Sequence, residues 1–190
     1  MKLKGNRKTI AVLATLVGLS GLIQAVVICR AALPSIDAVR FVRIAQAIDS
    51  RGLLATISSE REQPLFPLAV SFTHGLLARV AGESPSLWAT SAQLAAVVPL
   101  VLSVIPIYFL CRRLVGSTAA FAAGIFFCVL PEVASLAANG ISDSLHLFFF
   151  TLAYWALVEF GIHSGNCPSI INRSSPMKPS PRLSTFAAFA

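Results

Sequence analysis

Thr9 to Cys29 run for about 21 residues without a charge, and a run of that length has few homes outside a bilayer. A helix rises about 1.5 Å per residue, so roughly 20 apolar residues cross a hydrocarbon core of about 30 Å. Further apolar stretches follow at Leu65–Val80, Leu87–Leu110, Ala119–Ala138 and Leu145–Ile162. Only 12% of the 190 residues are charged, about half of the ~25% usual in soluble domains. Lipid must therefore solvate most of the surface. With no water to satisfy its backbone there, the chain is expected to be an all-α polytopic membrane protein. The net charge of +7 then bears on topology and on contact with membrane lipids. No basic stripe interleaved with aromatics appears, so nucleic acid is not an expected partner.

The basic residues decide how the apolar runs are used. Lys2, Lys4, Arg7 and Lys8 precede the first run. A signal peptide has a shorter apolar region, about 7–15 residues, and a small-residue cleavage site. The longer run favours an uncleaved signal anchor with a cytoplasmic N-terminus. Arg112 and Arg113 follow the Leu87–Leu110 stretch, and Arg173, Lys178 and Arg182 follow the last one. All of these fall inside if Leu65–Val80, which is short and contains Pro67 and His74, lies at the interface or dips in and out. Four spans are then expected, at about 9–29, 87–110, 117–138 and 144–163, with one juxtamembrane element between the first two. The expected setting is the cell inner membrane.

Three regions follow from this division. Residues 1–163 form the membrane region, including a large first outer loop over 30–86. Residues 164–182 are Pro- and Ser-rich and suit a polar inner loop. Residues 183–190 turn apolar again, as the first residues of a further span of a truncated protein would.

The outer loop carries the candidate chemistry. Ser35 is placed to cap a helix from Ile36 to about Asp49, with Gly52 after its end. On a 3.6-residue period Asp37, Phe41, Ile44 and Ile48 share one stripe. Asp37 either complements the helix dipole or serves as a general base at the membrane surface. Asp143 lies between the third and fourth spans, on the same side as Asp37. It, or Ser142, caps the next helix, and an acid there can also serve a site. The loop also holds Arg30, Arg40, Arg43, Arg51, Arg61 and Arg79 and no lysine. Arginine's planar fork suits phosphate, although Asp49, Glu60, Glu62 and Glu83 offer ordinary ion pairs. Glu132 and Glu159, near span ends, are expected to snorkel. His74 and His146 are expected to be packed or interfacial. Cys29, Cys111, Cys128 and Cys167 form no CxxC pair and have no His at metal spacing, so a zinc site is not expected. The cofactor is otherwise unknown, since the sequence speaks neither for nor against a divalent metal.

Four segments, in order, carry a family resemblance. They are Asp37-Ala38-Val39-Arg40-Phe41-Val42-Arg43-Ile44-Ala45-Gln46-Ala47, Gln63-Pro64-Leu65-Phe66-Pro67-Leu68, Leu110-Cys111-Arg112-Arg113-Leu114-Val115-Gly116 and Ile141-Ser142-Asp143-Ser144-Leu145. Up to about Ile162 the chain resembles the N-terminal part of the GT-C glycosyltransferases, which include protein O-mannosyltransferases and the aminoarabinose transferases that modify lipid A. The family often has a second acid where Ala38 stands, and a His-Pro-Pro where Gln63-Pro64-Leu65 stands.

The resemblance implies an inverting sugar transfer on the outer face, with a polyprenyl-phosphate-linked sugar as donor. By it, Asp37 would be the catalytic base and Asp143 a supporting acid. Arg40, Arg43 and Arg61 would face the donor phosphate. The alternative is a non-catalytic multi-pass protein, either a transporter fragment or a degenerate paralogue. A transporter would concentrate ionisable residues or broken helices mid-span in two related halves, whereas the acids here gather in outer loops. Without further spans to wall a donor cavity, the 190-residue chain is expected to be inactive alone. The topology has a direct test. Single cysteines at positions 37 and 112, in a cysteine-free background, are expected to label from opposite sides of the membrane. Labelling of both from one side would overturn the four-span arrangement.

Overall fold

The computed structural model describes residues 3–30, 35–60 and 62–163, and every regular element among them is an α-helix. In chain order these are α1 (Leu3–Arg30), α2 (Ile36–Arg51), α3 (Leu53–Ser59), α4 (Leu65–Ala81), α5 (Pro85–Leu114), α6 (Ser117–Val129), α7 (Pro131–Ala138) and α8 (Asp143–His163). Arg61, the polar stretch 164–182 and the apolar stretch 183–190 lie outside the described residues. The expected all-α membrane architecture is what the chain adopts.

Among the described residues, three helices are long and apolar enough to cross a bilayer, over Arg7–Arg30, Pro85–Leu114 and Asp143–Gly161. α5 is the post on which the rest is mounted, since α1, α2, α4, α6, α7 and α8 all pack on it. Five of its eleven buried positions are Ala or Ser: Ser91, Ala92, Ala95, Ala96 and Ser103. Small side chains let backbones approach closely, which matters where lipid tails are as apolar as leucine. Pro99 and Pro106 stand inside α5, where each lacks the N–H that would close a helical bond. Membrane helices tolerate this because neighbouring helices and Ser/Thr side chains re-satisfy the backbone. Ser103 Oγ, fully buried, satisfies itself on Pro99 O at 2.8 Å, whereas the carbonyls that the two prolines leave are those of Ala95 and Leu102.

The span expected over 117–138 is not one straight helix. α6 and α7 pass as a span only together, and they bend by 53° at Leu130. The cause is Pro131, which disfavours helical backbone at the residue before it; Leu130 accordingly sits at φ −63°, ψ 121°. α6 alone, with 13 residues, reaches only about 20 Å. An apolar run reports burial and not continuity, so the hydropathy pattern passes over the break.

α4, expected as the juxtamembrane element, is an apolar helix shorter than the three spanning candidates. It turns back into α5 through Gly82, which has φ +76°, and its His74 stacks on Trp88 of α5 at 3.6 Å. From that turn its 17 residues reach about 25 Å, whereas the 30 residues of α5 reach about 45 Å. Lying antiparallel to α5, α4 therefore stops well short of the far end of the post.

That far end is marked by side-chain contacts. Arg112 Nη1 donates to Thr9 Oγ1 at 2.9 Å. Arg113 donates through Nε and Nη2 to the two Glu159 carboxylate oxygens, at 2.6 and 2.8 Å. The start of α1, the end of α5 and the end of α8 thus share one end of the bundle. Glu159, expected to snorkel, is held in a two-pronged ion pair.

α1 seats against α6 at Gly124. A Cβ added there would fall 2.7 Å from a Leu16 methyl, and Leu16 is fully buried. Gly124→Ile is therefore expected to cost about 1–3 kcal/mol through overpacking, read as a lower thermal midpoint in detergent. Combined with Leu16→Ala, which makes room, the loss should be smaller than the sum of the two single changes. Strict additivity would show that the two residues do not meet.

Candidate functional site

The site is assembled by one hydroxyl. Ser35 precedes α2 with extended backbone (φ −64°, ψ 162°), and its Oγ accepts the Ala38 N–H at 3.1 Å. This is the cap that the sequence predicts. The same Oγ donates to the carbonyl of Asn139 at 2.9 Å, across 104 positions of chain. Asn139 and Gly140 form the turn that links α7 to α8. Gly140 has φ +62°, and a Cβ there would lie 3.3 Å from the Ala38 Cβ and 3.6 Å from Ala92. Gln93 of α5 reinforces the joint by donating through Nε2 to Ala138 O at 3.3 Å. The start of α2, the turn before α8 and the N-terminal part of α5 are therefore locked together.

Both candidate acids flank this joint. Asp37 lies in the first turn of α2 and Asp143 in the first turn of α8, and both are exposed. Ser35 supplies the cap of α2, so Asp37 is not needed for that role. The stripe predicted on α2 is present: Ile44 and Ile48 are buried, Phe41 is half-buried, and Asp37 leads the stripe at its exposed end. Phe41 meets Phe66 of α4 edge-on, with ring centroids 5.1 Å apart. Phe66 and Pro67 are buried, whereas Pro64 and Leu65 are exposed.

One helical turn below Asp37, Phe41 borders a cavity of about 400 Å³ that also includes Glu62, Gln63, Phe66, Ser142 and His146. Arg40, expected at the donor phosphate, forms an ion pair with Glu62 at this rim, 2.6 Å from Nη2 to Oε1. It is one contact of a five-donor fork. Arg43 is exposed one turn further on and has no salt bridge among the described residues. Arg61 lies outside them.

His146 carries more of the site than its expected packing role. Its Nδ1 stands 3.1 Å from Ser142 O and its Nε2 2.8 Å from Gln63 Oε1. A carbonyl only accepts, so Nδ1 carries the proton. Nε2 then either donates as part of an imidazolium or accepts from the Gln63 amide turned the other way. Both arrangements tie the segment before α4 to the first turn of α8. A histidine four residues after Ser142 and three after Asp143, on one helix face, was the available signal. His74, by contrast, is buried against Trp88 as expected, with Glu83 3.7 Å from its Nε2. No group of three His, Cys, Asp or Glu among the described residues is placed to hold a metal ion.

The polar cavity shares Leu145 and Phe149 with a second one of about 530 Å³ between α4, α5 and α8, lined almost wholly by apolar side chains such as Phe72, Leu76, Val98 and Leu102. A polar chamber thus abuts an apolar trough.

A sequence profile of the dolichyl-phosphate-mannose-protein mannosyltransferase family matches residues 64–165, more than half of the chain. The chain belongs to this family. It is therefore a membrane glycosyltransferase sequence of the GT-C type. The match takes in the Pro64–Pro67 segment, the Arg112-Arg113 turn and the Asp143 loop; Asp37 lies before it. No curated protein and no solved structure matches the chain.

The Ser35 joint gives a stability prediction. Ser35→Ala removes a cap, commonly about 0.5–2 kcal/mol, together with a hydrogen bond of about 1 kcal/mol. Amide exchange is expected to quicken in Ile36–Phe41 and in residues 139–142 together, with α5 unchanged. Faster exchange in α2 alone would show that the hydroxyl caps its own helix without joining the loops.

Proposed function

We propose that this chain forms part of a site that transfers a sugar from a polyprenyl-phosphate donor to an acceptor hydroxyl on the outer face of the cell inner membrane. The observation that carries the reading is the Ser35–Asn139 bond, which holds the two acid-bearing helix starts beside one polar cavity. Family membership supports the chemistry, and the abutting apolar trough suits the donor's hydrocarbon tail. With the N-terminus in the cytoplasm, positive-inside topology puts this face outside.

In this mechanism Asp37 takes the proton from the acceptor hydroxyl. The acceptor oxygen attacks the sugar's anomeric carbon as the bond from that carbon to the phosphate oxygen breaks, with inversion. The electron pair leaves with the polyprenyl phosphate. Arg40, Arg43 and Arg61 neutralise the charge growing on that phosphate, an effect that strengthens when water is excluded. Asp143, at the other side of the joint, orients the acceptor or sugar. Gln63 and His146 fix the cavity wall. Residues 1–163 act as one membrane unit in this scheme.

The test is Asp37→Asn in the active membrane enzyme containing this chain. Asparagine keeps the shape but cannot take the proton. Turnover with the cognate lipid-linked sugar is expected to fall about 10²–10⁴-fold, with expression and membrane insertion near normal. Wild-type turnover would return Asp37 to a helix-dipole role and favour a non-catalytic protein.

A further inference from the structure

At the end of the bundle opposite Asp37 and Asp143, the last turns of α5 and α8 enclose a cavity of about 620 Å³ lined by Phe109, Arg112, Arg113, Trp155 and Glu159. That volume lies within the roughly 300–1,000 Å³ typical of small-ligand sites. Phe109 and Trp155 stack across it, with centroids 5.5 Å apart and 21° between planes. The family's chemistry, placed at the other end, makes no use of it.

We propose that this cavity binds the phosphate headgroup of an anionic phospholipid. Its polar groups are nearly all donors. Arg112 uses one nitrogen on Thr9, leaving the rest of its fork. The Trp155 indole N–H is buried and has no hydrogen-bond partner among the described residues. The one acceptor group, Glu159, has both carboxylate oxygens engaged by Arg113. A set of donors with its acceptors already taken matches a ligand rich in acceptor oxygens and carrying negative charge. Arg7 and Lys8, exposed on α1 beside Thr9, add charge of the same sign.

The aromatic wall and the position favour a lipid over a free anion. Tryptophan concentrates at headgroup level, with its ring toward the tails and its N–H toward the polar layer. Leu157 of α8 is exposed nearby and gives acyl chains a surface to follow. Basic pockets between spanning helices are sites where anionic headgroups bind.

The test uses the full chain in nanodiscs of equal parts phosphatidylcholine and phosphatidylglycerol, followed by native mass spectrometry of the lipid retained. Phosphatidylglycerol is expected to be retained in preference, and Arg112→Gln to cut that retention about tenfold. Arg112→Lys should keep a large part of it, which separates lost charge from lost folding. Trp155→Phe keeps the stack, removes the N–H and should weaken retention several-fold. Arg51→Gln, at the far end of α2, should leave it unchanged. Equal retention of phosphatidylcholine, or wild-type retention in both Arg112→Gln and Trp155→Phe, would overturn the site. Displacement of the lipid by millimolar inorganic phosphate would overturn the lipid assignment. Because retention is read without sugar transfer, its failure is distinguishable from failure of the glycosyltransferase reading.

Discussion

Everything in this chain rests on the close approach that small residues allow on α5. A bilayer offers no hydrophobic drive between helices, so contact area and backbone pairing must hold the bundle. Ala92, Ala95, Ala96 and Ser103 leave shallow grooves along the post, and neighbouring helices settle into them. Gly124 does the same for α1 against α6. Where the post is bulkier, aromatic pairs take over: Trp88 receives His74 near one end, and Phe109 receives Trp155 near the other.

Upon that frame the site is set by a few polar contacts between segments remote in sequence. Ser35 reaches Asn139, Gln93 reaches Ala138, and His146 meets Gln63. The first and last tie loops to helices mounted on α5, and Gln93 ties the end of α7 to α5 itself, so the acids at the starts of α2 and α8 inherit the rigidity of the post. The polar contacts at the opposite end, Arg112 to Thr9 and Arg113 to Glu159, tie helix ends rather than loops. The two ends thus divide the work of positioning chemistry and of anchoring.

Much of this was legible in the residues. Runs near the length of a bilayer gave the spans, and the placement of arginines gave their parity. Ser35 and Gly52 marked the bounds of α2. What escaped were features that depend on partners far along the chain. The Leu130-Pro131 pair signals a break, but continuous apolarity masks it, and only packing fixes its 53° bend. His146 looks like an interfacial residue until Gln63 is brought to it from 83 positions away. The sequence offers Arg40 several carboxylates, and only the fold selects Glu62 among them. Period and composition report what a residue does with its near neighbours; they do not report which distant polar group meets it.

The orientation of the helices around the polar cavity has an electrical consequence. α4 and α8 both begin at its wall, with Leu65 and Ser142 among the lining residues, and α2 begins just above it. A helix start presents unpaired N–H groups and a partial positive charge of roughly half a unit. Three such ends face one chamber, where they offset part of the negative charge of Glu62 in its wall and of Asp37 and Asp143 in the first turns of α2 and α8. Backbone dipoles cannot swing away or pair elsewhere as side chains do. The acids at these helix starts therefore meet a fixed complement written into the fold, and the arginine side chains act as adjustable additions to it.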